Sequence, residues 1–345
     1  MGHRVEFANS EKYLISITDK RGSLTMSSSE NDAPSTVYYK GQYWNDLVEV
    51  RSHLNRLATG NPDLDWVTKV IELHEPGHAL ILNCGNGWVE RELFDRGLIL
   101  SAVALDVSDS LLHEAENSKG SRPIHYVKTD INSFEFPQNE FDFVINHAAI
   151  HHTAKIDRTM RGVANTLKQD GFFVNWDYVG PHRNQYPYEQ WETVFQINSE
   201  LPESLQADLV YPHLPTMLAT DPSEAIHSEL FMATFDRYFD SVHSAALGGG
   251  LAYPLLTHNP KFHAASDEER LQWLNLILER DIEYTQNQIS RSLFAFVIGR
   301  PKILRAIDSE LLELWTRDEE IRESNSSGKI YYPPSLLAIL TQQLA

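Results

Sequence analysis

Three groups of residues in this chain have types and spacings suited to chemistry. The first is the run Asn83-Cys84-Gly85-Asn86-Gly87, which follows a short apolar stretch. Glycines at 85 and 87 permit a sharp turn and the close approach of a ligand. The second is a pair of acids. Asp106, followed by Val107, stands 19 positions after Gly87, and an acid about 20 positions beyond such a loop accepts hydrogen bonds from ribose hydroxyls. Asp130, with Ile131 beside it, could accept from an adenine amino group. The third is the histidine set His147, His151 and His152. Histidine is the usual proton acceptor near neutral pH, so His151 or His152 is the candidate base for an acceptor that must lose a proton. Plainer roles stand beside these: a tight strand-to-helix turn, a helix cap at Asp106, and a histidine pair packed on the next helix. His147 and His151 are four apart, but zinc needs further ligands and Cys84 lies in the glycine loop. No metal is expected.

These residues need a scaffold. Short apolar strands are expected at 79–82, 100–105, 124–127, 141–145 and 172–176, with helices at 89–96, 108–118 and 157–168. Such alternation predicts an α/β fold with a parallel sheet covered on both faces. Ligands then sit at the carboxyl ends of the strands, where all three groups fall. Residues 1–36 are polar and expected to be mobile. Residues 37–76, with the aromatic cluster Tyr38, Tyr39, Tyr43 and Trp44 and helices at 47–57 and 63–73, are expected to be an N-terminal helical lid, in which Tyr38, Tyr39 and Trp44 either cover a bound cation or form a plain packing cluster. The core spans 77–178. Residues 179–235 are rich in Pro, Tyr and Gln, with helical pieces at 188–199 and 223–235, and read as an inserted cap. Strands return at 241–246 and 292–298, so 236–302 completes a seven-stranded, mostly parallel sheet. Between them lie Gly248-Gly249-Gly250, a flexible pocket wall or only a turn, and a helix at 267–286. A charged amphipathic helix at 303–323 opens a terminal segment reaching 345.

The chain has 345 residues and a net charge of −19. So acidic a surface repels phosphate backbones and anionic membranes, which leaves a small-molecule acceptor as the expected partner. One cysteine excludes an internal disulfide and suits a reducing cytoplasm. Neither a signal peptide nor a membrane span is expected. A homodimer is left open.

Two cofactor classes compete. A dinucleotide sets its pyrophosphate on the helix N-terminus, where this chain has Glu90 in the first turn. S-adenosylmethionine carries a sulfonium cation and no phosphate, so an acidic rim suits it better. An oxidoreductase using a dinucleotide is therefore the weaker rival. A non-catalytic subunit that binds a partner is another.

The succession Asn83-Cys84-Gly85-Asn86-Gly87, Asp106, Asp130-Ile131, Phe141-Asp142-Phe143-Val144-Ile145-Asn146 and Leu167-Lys168-Gln169-Asp170-Gly171 resembles the class I S-adenosylmethionine-dependent methyltransferases. The likeness covers residues 60–178, and 236–300 more loosely. It implies a Rossmann-like sheet and S-adenosylhomocysteine as a product. It also implies a methionine site at Asn83, Gly85, Asn86 and Gly87, with backbone near Asn146 and His147 beside it. Asp106 and Val107 would meet the ribose, and Asp130 with Ile131 the adenine. The family usually has an acid where this chain has Asn83, and often glycine where it has Val89. A narrower resemblance, to bacterial methyltransferases of glycan and specialised-metabolite pathways, rests on Tyr43-Trp44, Thr59-Gly60-Asn61-Pro62 and Asp177-Tyr178-Val179-Gly180-Pro181. It implies that the N-terminal helices and Tyr43 close over the cofactor and that Tyr178 faces the active site. Arg183, Gln185 and Tyr186 would orient a polar acceptor or form loop surface.

Overall fold

The computed structural model describes residues 42–286 and 291–302. The expected mobile segment 1–36, Tyr38, Tyr39 and everything expected beyond 302 lie outside the described residues. Seven strands make one sheet: β1 (Gly77–Leu82), β2 (Ile99–Asp106), β3 (Ile124–Lys128), β4 (Phe141–His147), β5 (Leu167–Tyr178), β6 (Phe239–Ala246) and β7 (Phe294–Pro301). Their order is β3-β2-β1-β4-β5-β7-β6. The pairs among β1 to β5 are parallel, and β7 runs antiparallel to both β5 and β6. The fold is the α/β arrangement expected, with the switch point between β1 and β4, where the chain crosses from one half of the sheet to the other.

The helices preceding the 179–235 segment are α1 (Val48–Thr59), α2 (Trp66–Ile71), α3 (Trp88–Asp95), α4 (Asp109–Ser118) and α5 (Ile156–Thr166). Within that segment lie α6 (Tyr188–Glu200), α7 (Leu214–Thr220) and most of α8 (Phe231–Tyr238), and later come α9 (Ala252–Leu256), α10 (Pro260–Ala264) and α11 (Asp267–Gln286). Side chains alternate across the pleat. Ala79 and Ile81 of β1 join an apolar layer with Leu54 of α1, Val67 of α2 and Leu93 of α3. Leu80 and Leu82 join the opposite layer, with Met160 and Val163 of α5 and Phe235 of α8. In α5 the buried Ile156, Met160, Val163 and Ala164 recur at helical spacing, which gives one apolar stripe to the sheet. In α11 the buried Leu274, Ile277 and Leu278 belong to the core.

Several expected boundaries change, and the strand expected at 172–176 runs from Leu167 to Tyr178. The helix expected at 157–168 stops at Thr166, because Leu167 turns extended and pairs with Phe141. The helix expected at 63–73 contracts to α2, which starts where the Asp65 side chain accepts from the Thr68 amide. The helix expected at 223–235 is broken. The Asp221 carboxylate accepts from the Ser223 amide, Ala225 has a φ of 48°, and helix resumes only after a 3-10 turn at Ser228–Leu230. The irregular stretch so created carries Glu224. Among the described residues, no helix is long and apolar enough to cross a membrane.

Candidate active site

Parallel registers align the strand ends that carry the candidate residues. Leu82 stands beside Asn146, Asp106 beside Lys128, and His147 beside Trp176. The glycine loop, Asp106, Asp130 and the histidines therefore share one edge of the sheet. Asn83, Gly85 and Gly87 all have positive φ, of 47°, 57° and 77°. The Asp106 carboxylate braces this loop: Oδ2 accepts from the Gly85 amide at 2.8 Å and Oδ1 from the Ser108 amide at 2.8 Å. The following helix is capped by Ser108, whose side chain accepts from the Leu111 amide. Each Asp106 oxygen keeps a lone pair for a further donor. Val107 beside it is 57% exposed, an apolar surface at the strand end.

Gly87 is required from beneath rather than by a ligand above. A Cβ there would stand 2.3 Å from the Tyr126 hydroxyl and 2.8 Å from Glu90 Oε1. Glu90 itself is wholly buried, and burial pushes its carboxyl up to about 7. It lies inside, under the loop, and is not the exposed anion that the sequence suggests. Its charge is therefore a weaker argument against a pyrophosphate than its position in the first turn implies. Asn86 Nδ2 donates to Glu114, while its Oδ1 is buried without a hydrogen-bond partner. Asn83 Nδ2 donates to the Ala149 carbonyl at 3.3 Å. Asp130 is exposed, with Oδ1 accepting from the Asn132 amide and side chain, and Ile131 is buried.

The end of β4 separates the histidines. His147 stacks on Trp66 at 5.7 Å and meets Trp88 edge-on at 5.1 Å. With these residues, Arg51, Asn55 and Trp176 it lines a cavity of about 480 Å³ beside the glycine loop. Burial lowers its pKa to about 4, so the ring is neutral. After it, Ala148 takes a φ of 53° and its amide donates to the Trp176 carbonyl, which turns the chain off the sheet. The 3-10 turn Ile150–His152 then places the next two rings elsewhere. Thus the four-residue spacing of His147 and His151 does not make a metal pair.

The hub of this turn is Asp177, at the end of β5 and fully buried. One oxygen accepts from the Ala149 and Ile150 amides and from Asn146 Nδ2, and the other from the Tyr178 amide. His151 Nδ1 lies 2.6 Å from Asp177 Oδ1. Burial alone would strip the His151 proton. The flanking carboxylates Asp177 and Glu224 outweigh it and hold the pKa up to about 10. His151 is thus held as an imidazolium near neutral pH.

His152 has a different setting. Its Nδ1 is 3.0 Å from Ser223 Oγ, and Ser223 Oγ donates to Asp221 at 2.6 Å. That donation uses the only hydroxyl proton, so Ser223 must accept from His152 Nδ1–H. The Nε2 lone pair is left free. Burial and the charge on His151 lower the His152 pKa, which favours this neutral form. His152 Nε2 lies 3.6 Å from Glu224 Oε2, and His151 Nε2 lies 3.7 Å from the same oxygen. Burial opposes charge on Glu224, but the neighbouring His151 holds its pKa down to about 2.

Other expected contributors take structural positions. The Tyr178 hydroxyl donates to the Pro181 carbonyl, and burial, with neighbouring tyrosines and Glu224, raises its pKa well above the ordinary value. It is a buried donor. Asn146 is buried with its amide spent on Asn175 and Asp177. Trp44 is buried against Phe294 and Tyr253, so it packs rather than lying open over a cofactor. Tyr43 is half-buried, and burial, then the charges of Glu224 and Asp46, push it up to about 12. It lies toward Glu224, as do Tyr186 and Tyr253. Arg183 is buried and donates to the Glu224 carbonyl, and Gln185 donates to the Arg183 and Pro212 carbonyls. Both hold the loop. The Gly248-Gly249-Gly250 run is clamped by Asp281, which accepts from the amides of Gly249, Leu251 and Ala252. A Cβ on Gly249 would stand 2.9 Å from Phe294.

Asp177, Asp221, Ser223 and Glu224 are residues to which sequence reasoning gave no role, although Asp177 stood in a quoted motif. Asp177 had one usable signal: it ends the strand next in parallel order to the one before the histidines. Glu224 had none, since it approaches from the 179–235 segment.

Residues 80–175 match a family described as "Methyltransferase domain". The chain is 22% identical over 166 residues to the uncharacterized methyltransferase YcgJ of Bacillus subtilis, covering 42% of this chain and 65% of that protein. It is 23% identical over 150 residues to a malonyl-[acyl-carrier protein] O-methyltransferase of Paenibacillus, covering 38% of this chain and 54% of the relative. The chain thus spans between half and two thirds of the length of these relatives. It is also similar to the crystal structure of an S-adenosylmethionine-dependent methyltransferase from Mesorhizobium loti, with 18% identity, a TM-score of 0.44, and coverage of 68% of this chain and 95% of that one.

Proposed function

From the premise that this chain belongs to the class I S-adenosylmethionine-dependent methyltransferases, we propose that it methylates an oxygen or nitrogen of a small polar acceptor. The residues at the sheet edge suit the donor. Asp106 offers carboxylate lone pairs for ribose hydroxyls, and Val107 an apolar surface. Neither Lys nor Arg occurs in the 83–90 run, and the adjoining Arg91 spends its guanidinium on the Asn86 carbonyl. When bound, the donor supplies a methyl group activated by a sulfonium. In-line transfer needs the acceptor atom aligned with that methyl and freed of its proton.

The observation that carries the reading is the Asp221–Ser223–His152 chain. It fixes the proton on His152 Nδ1 and leaves Nε2 as an acceptor, at a ring 28% exposed. His152 is therefore the proposed base. His151 and Asp177 position it by fixing the turn, and Tyr178 acts only by packing and by bracing the Pro181 loop. An acceptor bearing a hydroxyl or amine would enter between the strand ends and the 179–235 segment, near Glu224 and Tyr43. The Paenibacillus relative, named as an O-methyltransferase, agrees with oxygen as the acceptor. The single buried cysteine suits a reducing compartment such as the cytoplasm.

The test is calorimetric titration with S-adenosylhomocysteine, with NAD and NADP as controls, followed by an acceptor screen. Micromolar binding of S-adenosylhomocysteine alone is expected. Preferential binding of a dinucleotide would overturn the proposal.

A further inference from the structure

We infer that His151, His152 and Glu224 form a binding site for a divalent transition-metal ion. Their ligand atoms lie within 4.8 Å of one another. Both Nε2 atoms face a single carboxylate oxygen, at 3.7 Å and 3.6 Å. These separations are long for hydrogen bonds. They are close to the spacing of neighbouring ligands around one ion, roughly 3.3 Å for bonds of about 2.0–2.1 Å in tetrahedral geometry.

A second observation is independent of the spacing. His151 is buried, and its Nε2 has no hydrogen-bond partner. A buried ring nitrogen left this way is costly unless something completes it. The outer contacts also fit. His151 Nδ1 is held by Asp177, and His152 Nδ1 by Ser223, which is itself held by Asp221. Metal-bound histidines engage their second nitrogen in this way, which orients the ring and sets the tautomer. The carboxylates of Asp177, Asp221 and Glu224 surround two imidazoles; in the metal-free protein the proton on His151 balances part of their charge, and an ion would displace it from Nε2 to solvent, leaving the Nδ1 proton donated to Asp177.

Two imidazoles and one carboxylate suit zinc, or ferrous or cobaltous ions, and three protein ligands leave positions open for a small molecule. The site stands on geometry alone. Its catalytic use rests on the methyl-transfer reading: the ion would bind the acceptor oxygen or nitrogen and promote loss of its proton to solvent water, with His152 then acting as a ligand and not as the base.

The full chain, stripped with a chelator, is titrated with Co²⁺ by visible absorption and with Zn²⁺ by calorimetry. One equivalent of each is expected to bind. Glu224→Gln and His152→Gln should each lose at least about tenfold in affinity. Ser223→Ala, which removes only the contact to His152 Nδ1, should weaken binding by about tenfold with the ligands intact. His113→Gln, at an exposed position on α4, should change nothing. Absence of stoichiometric binding by the unaltered chain would overturn the site, as would unchanged affinity in the ligand variants. S-adenosylhomocysteine titration of the same samples reports separately on the donor site, so failure of either reading is distinguishable from failure of the other.

Discussion

The carboxylate of Asp177 and the ring of His151 meet 2.6 Å apart with both side chains buried. Their pairing joins the ends of β5 and β4. The same carboxylate collects the amides of Ala149 and Ile150, so one acid fixes the turn that carries both histidines. Removing it leaves a buried imidazolium and several unsatisfied donors.

Asp177→Asn is therefore expected to lower unfolding stability by about 3–5 kcal/mol, the range for breaking a buried pair from one side. Urea denaturation of the two proteins measures this. A loss below about 1 kcal/mol would show that His151 is neutral and the pair is not ionic.

His152→Ala should slow turnover by about 10²–10⁴-fold, the range for a lost acid–base group. Affinity for S-adenosylhomocysteine should stay nearly unchanged, because His152 faces Ser223 and Glu224 and not the glycine loop. Wild-type turnover in this variant would remove His152 from the chemistry.

Tyr178→Phe should keep turnover within a few-fold of the parent. Its hydroxyl donates to the Pro181 carbonyl, so the expected cost is about 1 kcal/mol of stability. A hundredfold loss of turnover at unchanged stability would instead give the phenol a direct role.

Asp106→Ala removes the acceptor for the Gly85 amide together with the proposed acceptor for the ribose. Donor affinity should fall by about 10–100-fold, as for the loss of hydrogen bonds to a charged group. Calorimetry with S-adenosylhomocysteine is the readout, and unchanged affinity would move the donor away from β2.

Glu90 supplies a pH dependence. Its carboxyl, ordinarily near 4.5, is raised by burial to about 7. The folded state therefore holds this proton more tightly than the unfolded chain does, and stability falls as pH rises from about 4.5 to about 7. The linked change is on the order of 3 kcal/mol. Glu90→Gln should flatten this fall, so its thermal midpoint should exceed the parent's more at pH 8 than at pH 5. Equal differences at both values would show that Glu90 ionises normally.

Much of the scaffold was legible in local pattern. The apolar run ending at Leu82, the glycine pair at 85 and 87, and the acid at 106 are local in sequence, and each follows from strand periodicity and turn chemistry. Histidines at 147, 151 and 152 could be placed at the strand edge for the same reason. Their division of labour could not. His147 and His151 look like a helical pair by spacing, yet the turn at Ala148 sends them to different surroundings. Whether His151 holds its proton depends on Asp177 and Glu224, 26 and 73 positions away in the chain, and whether His152 is neutral depends on Ser223 and Asp221. Glu90 looked like a surface acid of the first helical turn, but packing against Tyr126 puts it inside. The sequence by itself determined the succession of strands and helices along the chain and the turn at Gly85 and Gly87, because hydrogen-bonding period and backbone freedom act between near neighbours. Only the tertiary structure decided protonation states and the His151–His152–Glu224 cluster, because burial and Coulomb fields depend on which distant segments the fold brings within a few ångströms.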